Sequence, residues 1–514
     1  MKKECLWLVT GFFLVIVLAG GTTGCRSEKQ QQSSAEITES VELPAAEIKV
    51  ESFSNGISCH DPQILVGQDS VYYMVGSHMV GAKSDDLREW EYFANGNNLF
   101  SNLFDGDMPA FSYVGKNEEG GYSVWAPDIS YNETMGKYVM YFCTTSSYIR
   151  SNICMAVADE PQGPYSYVDT LLYSGYGESD ADQTNLYEVL GRDADISRYL
   201  KYGGYNNDDW PNCIDPSSFT DEDGKLWMVY GSWSGGIFLL ELDKATGYPI
   251  FPEANEEKGV DPYYGIKLAG GGHHAVEGPF IQYNEENGYY YMFLSYGQLT
   301  REGGYQIRQF RSKNVEGPYV DMAGNTLGNQ DDYFSYGLKM MGNYMFPSLD
   351  KAYMAPGGQS VFKDVDGNYY ITYHQRFDGG SEYHEPRVHR MMLNSEDWFM
   401  IVPFETSEVT VQEGGYTADD IRGDFYVVNH SIDISSKIRD AVVYTFEGDG
   451  TIIGEEENGT YKVSEGTNEL VITLGEKSFF GIIVDSQEEA GNNVRCIMAV
   501  GASNETIWAV QYRR

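Results

Sequence analysis

Positive charge is scarce in this chain. Its 514 residues carry 35 Lys and Arg against 76 Asp and Glu, a formal net charge of −41. No basic stripe interrupts that excess, so a nucleic acid, itself a polyanion, is excluded as a partner. The acidity reads as the solvated surface of a secreted protein and names no ligand. Cysteine is scarce too. Apart from Cys5 and Cys25 there are Cys59, Cys143, Cys154, Cys213 and Cys496. An odd set is no disulfide framework, and none of the spacings suits a thiolate metal centre. Buried thiols are expected, with one pair left open. Long amphipathic helical periodicity is missing beyond the N-terminus.

Tyr and Gly, by contrast, are abundant at 41 and 57. Tyr suits half-buried strands and Gly suits turns, so the composition predicts an all-β fold. The length allows a large core and more than one domain.

The N-terminus reads as an export signal. Lys2 and Lys3 precede an apolar run from Leu6 to Gly20, too short for a comfortable membrane span. Thr22-Thr23-Gly24-Cys25 is similar to a bacterial lipobox, with Thr22 where Leu is usual. Residues 1–25 are therefore expected to be a lipoprotein signal peptide, with Cys25 as the lipid anchor to the cell membrane. The alternative is an ordinary signal peptide whose Cys is incidental. Residues 26–50, rich in Gln, Ser and Glu, suit a disordered tether.

Residues 51–408 repeat one pattern five times. The starts are His60-Asp61-Pro62, Trp125-Ala126-Pro127-Asp128, Cys213-Ile214-Asp215-Pro216, Val276-Glu277-Gly278-Pro279 and Ala355-Pro356-Gly357-Gly358-Gln359. An aromatic run follows each, such as Tyr138–Phe142 or Tyr369–Tyr373, and Asp223-Gly224 and Asp366-Gly367 supply hairpin turns. A repeat of about 60 to 90 residues made of short strands predicts the blades of a five-bladed β-propeller. The innermost strands converge on one axis, where Asp61, Asp215 and Glu277 are expected to meet. The polar segment 171–212 reads as an insertion between blades two and three. After about residue 408 the repeat stops. Six short strands between Asp424 and Tyr512 predict a small antiparallel β-barrel or sandwich over residues 409–514.

Carboxylates aimed into one cavity repel, and their proton affinities separate. One can then stay ionised as a base while another stays protonated as an acid, the pairing that glycoside hydrolysis needs. A single Asp-Pro is as readily a mere turn; three carboxylates at matching repeat positions favour chemistry.

The chain resembles glycoside hydrolase family 43, and within it the extracellular endo-α-1,5-L-arabinanases. The matching stretches are the first four starts with Ser217, Tyr230–Gly236, Gly303-Gly304-Tyr305 with Arg308, and Tyr373-His374-Gln375-Arg376-Phe377. The resemblance implies Asp61 as general base, Glu277 as general acid and Asp215 as the carboxylate that orients Glu277 and raises its pKa. It implies inversion, with base and acid roughly 6.5–9.5 Å apart. It also implies that His374 binds a metal at the propeller axis, calcium, mostly through water. Asp128, Trp125, Trp233, His274 and Phe377 are expected to line the substrate site, the aromatics as sugar platforms. Arg308, Arg376 and Arg387 are unranked. One departure stands out: related arabinanases carry His then Asn after the Ala-Pro-Gly of blade five, where this chain has Gly358 and Gln359. The implied protein is an extracellular, membrane-anchored, monomeric hydrolase of plant cell-wall arabinan. An exo-acting α-L-arabinofuranosidase, a β-xylosidase and a non-catalytic sugar-binding lipoprotein remain alternatives.

Overall fold

In the computed structural model, the described residues are 47–405, 408–455 and 457–513. The signal segment, Cys25 and the tether up to residue 46 lie outside them.

Five sheets follow one another around a ring, four-stranded in blades one, two and four and extended to six strands in blades three and five. Their inner strands are Gln63–Val66, Ser123–Asn132, Ser217–Thr220, Val276–Asn284 and Tyr353–Lys363. Each is followed by the aromatic run seen in the sequence, which forms the second strand of its blade, buried except at its ends. The five inner strands also share a backbone device. The residue before the proline is left-handed in every blade: Asp61 at φ 50°, Ala126 at 42°, Asp215 at 54°, Gly278 at 57° and Ala355 at 49°. Four of these are not glycine, and such a conformation costs about 1–3 kcal/mol each. It bends the chain as it enters the sheet and, in blades two, four and five, opens a bulge in the pairing with the second strand. The bend turns backbone and side chains toward the axis.

Polar groups stitch neighbouring blades together. Gln63 exchanges both of its amide hydrogen bonds with the Ile129 backbone, at 3.1 Å each. The Ser360 hydroxyl donates to the Pro62 carbonyl at 3.1 Å and closes the ring from blade five to blade one. Gln359 donates to the Gly278 carbonyl at 2.7 Å and accepts from Ser295 at 2.7 Å, tying blade five to blade four.

Blade two ends at Ser174, so the insertion begins there and not at 171. It holds a short helix, Leu186–Leu190, and a two-residue-per-strand hairpin at Leu200–Lys201 and Gly204–Tyr205.

The C-terminal domain is a barrel. Eight antiparallel strands close on themselves, because Lys477–Gln487 pairs with both Glu469–Leu474 and Asn493–Gly501. Two of the eight, Thr451–Gly454 and Gly459–Val463, are not among the six strands expected from the sequence. They are short and half exposed, so they lack the apolar alternation that marks their neighbours. Trp398, Phe399 and Met400 of blade five share one apolar cluster with Val484, Cys496 and Trp508 of the barrel. The five described cysteines are free and buried.

Candidate active site

Asp61, Asp215 and Glu277 line one open cleft of about 1280 Å³ at the end of the axis. Asp61 and Asp215 are themselves the bent residues before proline, while Glu277 precedes its bent Gly278.

Asp61 is held by two donors on one oxygen. His60 Nδ1 donates to its Oδ2 at 2.8 Å and the Ser77 hydroxyl at 2.6 Å. Burial by itself would raise this carboxyl, but the His60 imidazole and the two hydrogen bonds outweigh it and hold the pKa below the usual carboxylate range. Asp215 is the opposite case. Burial and the neighbouring charges of Glu277 and Asp61 push it well above the usual range, against one hydrogen bond from the Gly278 N–H at 3.1 Å. Glu277 is also raised, by burial first, although Tyr305 donates to its Oε1 at 2.8 Å and Ser232 and Trp233 to its Oε2 at 3.0 and 2.9 Å. The site therefore holds one carboxylate that favours ionisation, Asp61, beside two that favour their protons, Asp215 and Glu277.

Other expected residues fall in different places. Trp125 lines the cleft beside His78, ring centroids 4.4 Å apart. Trp233 also lines it, but its indole N–H is committed to Glu277. Asp128 also lines the cleft but is largely buried, and its Oδ2 accepts from the Ser218 N–H and hydroxyl at 2.9 and 2.7 Å. It sits two residues beyond the bend, so its carboxylate joins blades two and three; it is not the counterpart of Asp61. His274 does not line the cleft: its ring lies flat on Tyr333, 4.2 Å away. Phe377 is also outside it, packed on Tyr353 and under the Arg387 guanidinium. Arg308 and Arg387 are fully buried, and Arg376 binds Glu382 at 2.8 Å.

His374 lies on the second strand of blade five, Tyr369–Phe377, not on the inner one. It reaches the axis because the inner strand offers no side chain at Gly357, its pairing partner, or at Gly358. Its Nδ1 accepts from the Asp61 N–H at 3.3 Å, and its ring stacks on His60 at 3.9 Å. Ligand atoms of His60, Asp61 and His374 lie within 4.8 Å of one another. His60 Nδ1 is spent on Asp61. His374 Nε2 is buried without a hydrogen-bond partner, and burial holds the imidazole neutral. With Nδ1 accepting, the neutral ring carries its proton on Nε2. Nε2 can hold a cation, whose other ligands are water, only when that proton moves to Nδ1, which faces Asp61 Oδ1 at 3.6 Å.

Residues 171–399 match glycosyl hydrolases family 43, and residues 403–509 match that family's C-terminal lipocalin-like domain. The extracellular endo-alpha-(1->5)-L-arabinanase 2 of Bacillus subtilis (strain 168) is 35% identical over 475 residues, 88% of this chain and 92% of that protein. The chain belongs to glycosyl hydrolases family 43. A solved family 43 glycoside hydrolase from Bacillus licheniformis superposes with a TM-score of 0.78 at 32% identity, covering 91% of this chain and 100% of that one. The endo-1,5-alpha-L-arabinanase of Thermotoga petrophila RKU-1 gives 0.77 at 30% identity, with 91% and 100% covered.

Four groups around the family 43 carboxylates carried no role in the sequence reading: His60, Ser77, Ser232 and Tyr305. Three of them stand inside quoted motifs. Their signal was adjacency to an assigned residue, His60 beside Asp61 and Ser232 beside Trp233. Ser77 had none, because it reaches Asp61 from the turn after the second strand of blade one.

Proposed function

We propose that this glycoside hydrolase cleaves internal α-1,5-L-arabinofuranosidic bonds of arabinan by a single displacement. The observation that carries the reading is the split in proton affinity between Asp61 and Glu277 within one cleft. Asp61, ionised, takes a proton from a water as its oxygen attacks the anomeric carbon. The bond to the leaving oxygen breaks, and that oxygen takes the proton of Glu277. Asp215 accepts from the Gly278 N–H and so fixes the backbone next to the acid, while the charge of Asp61 favours the proton on Glu277. Trp125 supplies an aromatic wall for the sugar.

The open cleft leaves room for a chain that continues past the cut, and the relatives reported above are named for endo action. On linear arabinan the first products are expected to be oligosaccharides of mixed length, with the anomeric configuration inverted in early proton NMR spectra. Arabinose alone would mean exo action. Retention would mean that Asp61 attacks carbon directly, and no product at all would leave a sugar-binding protein.

Calcium is part of the proposal, with His374 as its one protein ligand. A bound cation supplies positive charge that offsets the repulsion among the carboxylates. Exhaustive chelation is expected to lower activity about tenfold or more, calcium to restore it, and His374→Ala to behave like chelated enzyme. Full activity in metal-free protein, verified by elemental analysis, rules the site out.

The protein is further proposed to sit on the cell surface through lipid on Cys25. Wild-type protein is then expected in the membrane fraction and Cys25→Ser in the medium or unprocessed. Wild-type protein found wholly in the medium counts against the anchor.

A further inference from the structure

One segment of the barrel domain reaches the backbone beside the catalytic machinery. Between its strands Gly423–Asn429 and Val442–Phe446 the chain leaves the barrel and runs back over the propeller. Three buried propeller side chains donate to two consecutive carbonyls of that segment. Arg308 donates to Ile432 O, Gln306 to Asp433 O at 3.0 Å and Lys339 to Asp433 O at 2.9 Å. Without those acceptors, two buried cations and a buried amide would lose partners, a costly state. The segment is fixed internally as well. Asp433 accepts from the Ser435 hydroxyl at 2.6 Å and from Arg439 at 2.5 Å. Farther on, Arg439–Asp440 adds a parallel strand to Tyr344–Met345, which pairs with the inner strand of blade five.

The segment presses on Gly304. A side chain there would begin 2.8 Å from Ser435 N and 3.1 Å from its Cα, so the two backbones are in direct contact. Gln306 also donates to the Gly304 carbonyl at 3.1 Å, and so brackets the residue between them. That residue is Tyr305, whose hydroxyl meets Glu277. Its ring has little freedom: a Cβ on Gly357 would lie 2.1 Å from it, and His374 stacks 5.6 Å away. The position of the hydroxyl is therefore set by the backbone at residues 304–306, and that backbone rests on the barrel segment.

We propose that Ile432–Ser435 of the barrel domain is a positioning element for the proton donor, acting through Gly304 and Tyr305 on Glu277. It rests on the reading of Glu277 as the general acid. The barrel is then a working part of the site, although it contributes no group to the cleft.

The test uses leaving groups. A purified full-length enzyme is assayed on phenyl and dinitrophenyl α-1,5-arabinobiosides. Phenoxide needs the acid's proton to leave, and dinitrophenoxide does not. Gly304→Ala drives a methyl group into Ser435, and Asp433→Ala unties the segment from Ser435 and Arg439 and removes the carboxylate that faces Lys339 Nζ at 3.9 Å. Both are expected to slow the phenyl substrate in kcat, Gly304→Ala about tenfold, with KM within about twofold and the dinitrophenyl rate nearly kept. Glu277→Gln is expected to show the same selectivity more strongly. If Glu277→Gln is selective but both segment variants slow the two substrates equally, or not at all, the positioning role is wrong and the acid assignment stands. If Glu277→Gln itself is unselective, the acid assignment fails and the inference with it. Should Gly304→Ala not fold by thermal melting, Asp433→Ala alone decides.

Discussion

Glu277→Gln is expected to lower turnover on arabinan at least about a hundredfold while substrate binding is largely kept. The amide matches the carboxyl in shape. Its oxygen can keep the hydrogen bonds from Ser232 and Trp233, and its N–H can face the Tyr305 hydroxyl, which rotates to accept. Only the transferable proton is lost. A hundredfold corresponds to about 2.7 kcal/mol of transition-state stabilisation, an ordinary contribution for general acid catalysis. Asp61→Asn is expected to cost a similar factor, because the amide cannot take a proton from water. Turnover and dissociation constants of the two purified variants check both statements. Near-normal turnover in either one removes that residue from the catalytic pair.

The fold was legible because the propeller writes its period into the sequence. Each blade needs a bend where the chain enters at the axis and a covered strand after it. The bend demands proline at a fixed place, and the covered strand demands an aromatic run. Both survive in all five repeats even though the blades differ in length. The barrel was legible wherever its strands bury one face, as at Glu469–Leu474 with its strict alternation. It was illegible at Thr451–Gly454 and Gly459–Val463, which contribute few buried residues.

The cleft was legible at its centre and poorly so around it. Asp61, Asp215 and Glu277 are placed by backbone geometry that the motif itself carries. Asp128 follows Ala-Pro within a blade start and lines the cleft as expected, although its carboxylate is tied to Ser218 of blade three. His274 and Phe377 misled because nearness in sequence to Glu277 and His374 was read as nearness to the cleft. His374 itself reaches the axis through an absence, the missing side chains of Gly357 and Gly358. Sequence reasoning looks for groups that are present, and a vacancy on the neighbouring strand is not a signal it weighs.

That vacancy gives the second large expectation. Gly358 is left-handed at φ 59°, and a Cβ there would stand 2.2 Å from Asp61 Oδ1 and 2.9 Å from His374 Nδ1. Gly358→Ala must therefore move the general base or the histidine behind it. Asp61 cannot swing freely, because His60 and Ser77 hold its other oxygen. Displacing a reacting group by about 1 Å can cost on the order of a hundredfold, and Gly358→Ala is expected to lose turnover on that scale. Gly358→His, which restores the residue that related arabinanases carry, is expected to be worse still, because the space such a side chain needs is filled here by Asp61 and His374. The backbone penalty is separated from the clash by Gly367→Ala. That glycine is also left-handed, at φ 85°, but it sits in the Asp366-Gly367 hairpin turn, where a Cβ meets only Lys363 Cε at 3.5 Å. It is expected to lower thermal stability by a comparable amount, about 1–2 kcal/mol, and to leave turnover unchanged. The measurements are kcat on linear arabinan and the melting temperature of each variant. Wild-type kcat in Gly358→Ala would show that Asp61 tolerates the displacement and that the glycine pair does not set the place of the base.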